Sequence, residues 1–128
     1  MTQPNPYLSH LEERVIATPS CKRLTLINPA YMTRQVYRLA EVEYGIHGHI
    51  TSLNPIRPEN GPDLWESKAL RTFERGETVI SLVEEMEGEE YMRLMRPLVT
   101  EKGCLKCHTA QGYREGVGSS AGKIFGAA

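Results

Sequence analysis

Residues 77–99, ETVISLVEEMEGEEYMRLMRPLV, decide the fold of this chain. Two apolar-rich runs, 77–87 and 90–99, meet at Glu87-Gly88-Glu89, a pattern that predicts two antiparallel strands joined by a turn. In the second run apolar and polar positions alternate, and one face of the strand carries Met92, Leu94, Arg96 and Leu98. We therefore expect a sheet built on this hairpin.

Two segments before the hairpin predict helices. Asn28 can cap the first free backbone N–H groups, and Pro29 follows where its missing N–H costs nothing. The helix that they begin is expected to run to about Tyr44 and to end at Gly45. Met32 falls in its first turn, on the face predicted to pack against the core.

The second helix is predicted over 63–75, with Gly76 as its end. Residues 45–63 are rich in glycine and proline, which favours an extended, turn-rich segment. A short strand is expected over 22–27. Together these elements predict an α+β fold in which a small antiparallel sheet is flanked by helices.

Composition limits the classes of protein that fit. The chain has 128 residues, 40% of them hydrophobic and 24% charged, which indicates one globular domain over 1–128 rather than a disordered or membrane-embedded chain. Its net charge of −1 gives no basic excess for nucleic acid. Residues 1–20 are expected to form an irregular lead-in, and 114–128 a tail rich in glycine, serine and alanine.

Cys104-Leu-Lys-Cys107-His108 is the motif that carries chemistry. Two cysteines at this spacing can bond covalently to the vinyl groups of a haem while the adjacent histidine ligates the iron, and CxxCH is the c-type haem attachment signature. Two alternatives remain open. The three residues could bind zinc with a fourth ligand from Cys21, His47 or His49, or the cysteines could form a redox dithiol.

Three stretches together resemble a known family. They are LTLINPAYMTRQV (24–36), HITSLNPIRPENGPDLWE (49–66) and RLMRPLVTEKGCLKCH (93–108). The chain resembles the haem-c-binding PAS-like sensor domains of bacterial sensor histidine kinases and related small haem proteins. The resemblance implies a PAS-like sheet with one covalently bound haem c. Relatives continue after the motif with a closing strand, which the glycine-rich tail of this chain leaves in doubt.

The resemblance also implies ligands for the haem. The thioether bonds carry over to Cys104 and Cys107, and the proximal ligand to His108. In stand-alone relatives the distal ligand is a cysteine that aligns at or near Met32, whose thioether is a suitable iron ligand. The alternatives for this position are His47, His49 and Cys21.

Haem propionates need cationic or amide partners. Arg57 in the proline-rich segment and Arg96 just before the motif are the candidates, because an arginine fork matches a carboxylate at two points.

The resemblance implies an extracytoplasmic sensor that reports redox state or a small gas to transmembrane and cytoplasmic signalling domains. Such sensors usually work as dimers, so a homodimer is one expectation. The chain shows no signal peptide, which predicts a piece of a larger periplasmic receptor. Without a recognisable general base, nucleophile or phosphate loop, we expect no enzymatic activity. The alternatives are a diffusible electron carrier and a zinc-stapled structural module.

Overall fold

The computed structural model describes residues 3–116 and 120–127, the latter through their backbone. Two antiparallel sheets and three helices make a small α+β fold. The elements are β1 Val15–Ala17, β2 Arg23–Thr25, α1 Pro29–Tyr44, β3 His47–Ser52, α2 Leu64–Phe73, β4 Ile80–Met86, β5 Glu89–Leu98, α3 Leu105–His108 and β6 Ser120–Ala127. Single 3-10 turns lie at Pro6–Leu8, Glu12–Arg14, Pro58–Asn60 and Thr109–Gln111.

The predicted hairpin forms the edge of the main sheet. Strands β4 and β5 pair antiparallel from Ile80 opposite Met95 to Met86 opposite Glu89. Two residues, Glu87 and Gly88, make the turn, and both have positive φ angles, 55° and 83°. A two-residue turn of this kind matches the right-handed twist of the strands, and its second residue, Gly88, adopts a positive φ at no steric cost.

Strand β6 closes the main sheet. The strand order is β3-β6-β5-β4, so β6 pairs antiparallel with β3 on one side and with β5 on the other. The sequence gives only a glycine-rich tail here, yet its backbone occupies a central position in the sheet. Backbone hydrogen bonds to two neighbouring strands explain how a segment with weak strand propensity is held.

Both main helices begin where the sequence predicts, and α1 also ends there, whereas α2 ends at Phe73, two residues before the predicted Arg75. The Asn28 side chain accepts a hydrogen bond from Tyr31 N, and Gly45 follows the last turn of α1. Helix α2 begins with a reciprocal capping box, in which Asp63 accepts from Glu66 N and the Glu66 carboxylate accepts from Asp63 N, each at 2.8 Å. These caps satisfy backbone groups that the first turn of each helix would otherwise leave unpaired.

The main sheet has two faces with different neighbours. On β3, Gly48 packs against Tyr37 of α1, whereas His49 faces Glu66 of α2. Alternation along each strand and the register across the sheet assign the other residues. We call the side that carries Gly48 the α1 face; it comprises Gly48, Ile50, Ser52, Ser81, Val83, Met92, Leu94, Arg96 and Leu98. The opposite side is the α2 face.

The dry core lies on the α2 face. Ala69, Leu70 and Phe73 of α2 pack with Met95 of β5, and each is at most 5% exposed. Trp65, in the first turn of α2, packs against this cluster. The α1 face carries the set Met92, Leu94, Arg96 and Leu98, which confirms the predicted alternation of β5.

The predicted packing of Met32 was wrong. The stripe that carries Met32, Val36 and Leu39 is exposed, with Met32 at 55%. Helix α1 instead packs on β3 through Tyr37, which lies about 100° away from Val36 around the helix. The apolar periodicity therefore identifies a real stripe on α1, but no described residue of the protein covers this stripe.

The N-terminal part is more regular than a lead-in. Strand β2 confirms the short strand expected over 22–27, and it pairs with β1, which the sequence does not reveal. Likewise, β3 arises inside the segment 45–63, where turn-forming residues obscure its extended start.

Candidate functional site

The CxxCH motif lies in the short helix α3, with Cys104 as its N-cap, and residues 99–104 connect it to β5. A turn, with Cys104 N donating to Glu101 O at 2.9 Å, leads into it, and His108 N donates to Cys104 O at 3.0 Å. Helical spacing places the i and i+3 cysteines on neighbouring positions of the same side. Both thiols are exposed and free. Both thiols are therefore accessible on the same side of α3.

His108 is held in a defined tautomer. Its Nδ1 is hydrogen-bonded to the side-chain oxygen of Gln111. The same amide donates from Nε2 to the backbone oxygen of Asn54 at 2.5 Å, so its nitrogen and oxygen cannot be exchanged. An amide oxygen can only accept, and His108 must therefore donate from Nδ1. The lone pair then lies on Nε2, the nitrogen that a metal would bind.

The segment after the motif is tied to the end of β3. The Asn54 side chain donates to Gln111 O at 3.2 Å, so Asn54 and Gln111 bond to each other twice. Tyr113 donates to the Ser52 hydroxyl, and its ring is stacked on His108 with centroids 5.3 Å apart and 7° between the planes. These contacts fix the imidazole from the edge and from one side.

The location of Ser52 connects the motif to one face of the sheet. Ser52 and Gly48 lie four residues apart on β3 and so belong to the same face. Gly48 contacts Tyr37 of α1. The His108 segment is therefore anchored to a residue of the α1 face, and the same face is covered at its β3 edge by the helix that carries Met32.

The α1 face exposes apolar side chains along the β4–β5 hairpin. Val83 and Met92 face each other across the hairpin and are 55% and 42% exposed, and Leu98 is 44% exposed. Apolar side chains exposed on one face of a sheet are a feature of ligand and partner sites. The α2 face, in contrast, buries Met95 completely. A flat apolar group would find its complementary surface on the α1 side.

The histidine alternatives for the distal ligand lie elsewhere. His49 is on the α2 face, with Nε2 3.5 Å from the Oε1 of buried Glu66. His47 is two residues before His49 and so lies on the same side of β3. Its Nδ1 is 3.2 Å from Glu41 Oε1 near the end of α1. As predicted, both point to one side of an extended strand, but it is the side opposite Ser52.

Cys21 lies in the turn between β1 and β2. Its φ angle is 60°, its backbone N–H donates to Thr18 O at 2.9 Å, and its thiol is exposed and free. The thiol belongs to the small two-stranded sheet rather than to the α1 face.

The two candidate arginines have different surroundings. Arg96 is exposed on the α1 face, in the row of β5 that lies across β6 from Ile50. Arg57 is engaged locally, with Nε 3.3 Å from Glu59 Oε2 and a guanidinium N–H donated to Asn60 at 3.4 Å. Burial, and then the nearby charge of Arg57, lowers the pKa of Arg34 on α1. Arg34 and Arg57 therefore lie near each other, and the sequence pattern does not single out Arg34 as a neighbour of Arg57.

A buried charged cluster occupies the α2 face. Arg93 is 7% exposed. Its guanidinium contacts three carboxylates. Its Nη1 is 3.3 Å from Glu84 Oε1, and its Nη2 is 3.7 Å from Glu66 Oε1 and hydrogen-bonded to Asp63 Oδ2. The guanidinium carbon, Cζ, is 4.5 Å from the centroid of the Trp65 ring. This arrangement explains how Glu66 can be buried, and gives the cluster a structural role.

The zinc alternative gains no support. Within residues 3–116, where side chains are described, no three histidine, cysteine, aspartate or glutamate side chains are grouped closely enough to hold a metal ion. A c-type haem would not need such a group, since its attachment uses two cysteines at the porphyrin edge and a histidine on the iron. None of the described helices is long and apolar enough to cross a membrane.

Sequence analysis missed the residues that orient His108. Gln111 and Tyr113 follow the motif at spacings of three and five residues, and Ser52 and Asn54 lie more than fifty residues away. The i, i+3 relation of His108 and Gln111 is the one local signal that could have identified a partner. The contacts with β3 are long-range and have no sequence signature.

Comparisons with known proteins agree with this fold. A family model described as Tll0287-like matches residues 2–128. Among solved structures, the cyanobacterial heme-protein Tll0287 is similar with a TM-score of 0.65 and 12% identity, over 79% of this chain and 73% of that one. At this identity the structural match shows the fold alone. No curated protein matches the chain.

Proposed function

Because the chain belongs to the Tll0287-like family, we propose that it is a c-type haem-binding domain that senses redox state or a small gas. In this proposal it serves a bacterial signal-transduction receptor, such as a histidine kinase, on the extracytoplasmic side of the membrane. It has no enzymatic role of its own. The similarity of its fold to the cyanobacterial heme-protein Tll0287 supports haem as the ligand.

One observation carries the proposal. His108 donates from Nδ1 to Gln111, which leaves the lone pair on Nε2, and two exposed thiols precede it at the CxxCH spacing. A ligating histidine characteristically donates its other ring N–H to an oxygen acceptor, and that bond fixes its tautomer and orientation. The donor set and its support therefore fit a c-type haem.

The residues that would hold the haem can be named. Cys104 and Cys107 would form the thioether bonds and His108 the proximal bond. The haem would rest against the α1 face, where Leu98, the last residue of β5, exposes apolar surface. When bound, haem supplies an iron that changes oxidation state and takes up small ligands.

Met32 would supply the distal ligand from α1. Its exposure of 55% leaves the thioether accessible, and α1 packs on the face to which the His108 segment is anchored. His49 is a poorer candidate because it faces buried Glu66 across the sheet. Arg96, exposed on the α1 face, would bind a propionate, whereas Arg57 would first have to leave Glu59.

A sensor differs from an electron carrier in what the iron can exchange. A methionine ligand can be displaced by a small gas, and a ligand shifts a conformational equilibrium only by its different affinity for the two states. A carrier would keep both axial ligands throughout its redox cycle. A sensor would have to pass the change to its receptor, and the anchoring of the His108 segment on β3 provides a physical connection to the sheet.

Carbon monoxide distinguishes these roles. The haem-loaded protein, exported to the periplasm of a host that matures c-type cytochromes, would be reduced and titrated with carbon monoxide while the Soret band is recorded. A sensor predicts saturable binding with loss of the distal ligand. A six-coordinate spectrum that carbon monoxide leaves unchanged would contradict the sensor role and favour the carrier.

A further inference from the structure

We propose that Gln111 is a positioning residue that sets the donor strength of His108 toward iron, an inference that rests on the proposed function. Its amide oxygen accepts from Nδ1 of His108, and its amide nitrogen donates to Asn54 O at 2.5 Å and lies 3.5 Å from the Tyr113 hydroxyl. The amide therefore has three partners with distinct requirements. Only one orientation satisfies them all.

The orientation of the amide matters for the imidazole. When Nδ1–H is donated to an oxygen, the ring becomes a stronger donor through Nε2, and the effect grows with the acceptor's charge. A neutral amide oxygen is a weaker acceptor than a carboxylate, but it still strengthens the imidazole as a donor relative to a ring whose Nδ1–H has no acceptor. Stronger donation stabilises the more highly charged ferric state. Gln111 thus sets the relative affinity of His108 for the two oxidation states of iron.

The rest of the network keeps this hydrogen bond in place. Gln111 is half-buried, which reduces competition from water, and Asn54 bonds to it twice. Tyr113 is stacked on the His108 ring and donates to Ser52, itself 4% exposed. Rotation of the imidazole about its Cβ–Cγ bond would break the Gln111 bond and the stacking together. The ring is held before any haem is attached.

Two substitutions at one position separate this role from a purely structural one. Gln111→Leu removes the acceptor, and Gln111→Glu replaces it with a carboxylate of nearly the same shape. Both lose the hydrogen bond to Asn54 O at neutral pH, so damage to the loop would affect both variants alike. The effect on donor strength is opposite in sign. Ala110→Ser, at the exposed neighbouring position, is the matched control.

The reduction potential of the haem-loaded proteins, measured by spectroelectrochemical titration at pH 7, is the readout. We expect Gln111→Leu to raise the potential and Gln111→Glu to lower it, each by a tenfold change in the ferric-to-ferrous affinity ratio. For a one-electron couple this is about 59 mV. Ala110→Ser should leave the potential unchanged.

The outcomes that overturn the inference are separate from those that overturn the proposed function. Equal shifts of the same sign in both variants, or no shift beyond the control, would reject the role of Gln111 while haem and its His108 ligand remain. A wild-type protein without covalent haem would reject the proposed function and this inference with it. Should Gln111→Leu fold poorly, the lowered potential of Gln111→Glu against Ala110→Ser still decides the question.

Discussion

Tyr37 of α1 lies against Gly48 of β3 so closely that a Cβ on Gly48 would be 2.5 Å from Tyr37 Cδ1. Two further ring carbons would be within 2.8 Å, and one of them is Cγ at the root of the ring. Turning the ring about its Cβ–Cγ bond leaves Cγ in place, so the contact is relieved only by a different χ1 rotamer of Tyr37 or by a shift of α1. This contact sets α1 on the face of the sheet to which the His108 segment is anchored.

Gly48→Ala should therefore displace α1. We expect the free energy of unfolding to fall by about 1–3 kcal/mol, the usual cost of overpacking a close contact. Urea denaturation followed by circular dichroism measures it. Gly103→Ala is the matched control, because no atom would lie within 4 Å of its new Cβ. Equal stability of both variants would show that α1 is not held by this contact.

Tyr37 also predicts how stability depends on alkaline pH. Burial raises the pKa of the Tyr37 hydroxyl above its ordinary value. Because the native state then holds the proton more tightly, this contribution to stability is fully present below the unfolded pKa of about 10 and is lost as pH rises through the folded pKa. Tyr37→Phe should flatten the fall in stability above pH 10, measured by urea denaturation. Tyr44→Phe, at the exposed end of the same helix, should not.

Arg93 compensates the buried charge of Glu66. Arg93→Met keeps the apolar stem but leaves the carboxylates of Asp63, Glu66 and Glu84 without their shared cation. Removing one partner of a buried ion pair costs about 3–5 kcal/mol, and we expect a loss in that range in equilibrium urea unfolding.

Arg96→Met is the matched control for this substitution. Arg96 is three residues away on the same strand, exposed and on the opposite face. Its replacement should change the free energy of unfolding by no more than about 0.5 kcal/mol. Similar losses for both arginines would indicate that the buried cluster contributes nothing beyond a surface charge.

The distal ligand can be tested by spectroscopy. Met32→Ala should change the Soret and visible bands of the reduced haem-loaded protein, because the sixth ligand is lost. His47→Ala and His49→Ala should leave the spectrum as it is, since His49 faces buried Glu66 of α2 and His47 pairs with Glu41 near the end of α1. A spectrum that responds to His49→Ala and not to Met32→Ala would reverse the assignment.

The sequence predicts local structure well where the signal is local. Asn28 and Gly45 bound α1, Asp63 caps α2, and Gly88 lies in the β4–β5 turn, each because a side chain or a backbone conformation is required at that one position. The CxxCH motif is of the same kind.

Features that depend on distant parts of the chain were not predictable. The stripe of Met32 has clear helical periodicity, but periodicity does not reveal which surface covers it, and α1 packs through Tyr37 instead. Strand β6 lies between two other strands, and the ladder on both sides compensates for its glycines. The links from Gln111 to Asn54 and from Tyr113 to Ser52 join segments more than fifty residues apart.

The most direct test of the account is whether haem stays with the polypeptide after denaturation. The wild-type chain, exported in a host with cytochrome c maturation, would be separated by denaturing electrophoresis and stained for haem peroxidase activity. We predict a stained band for wild type and for Cys21→Ser, and none for Cys104→Ser/Cys107→Ser, because only the CxxCH cysteines attach haem covalently. A colourless wild-type band, from a host that matures a control cytochrome, would contradict the account.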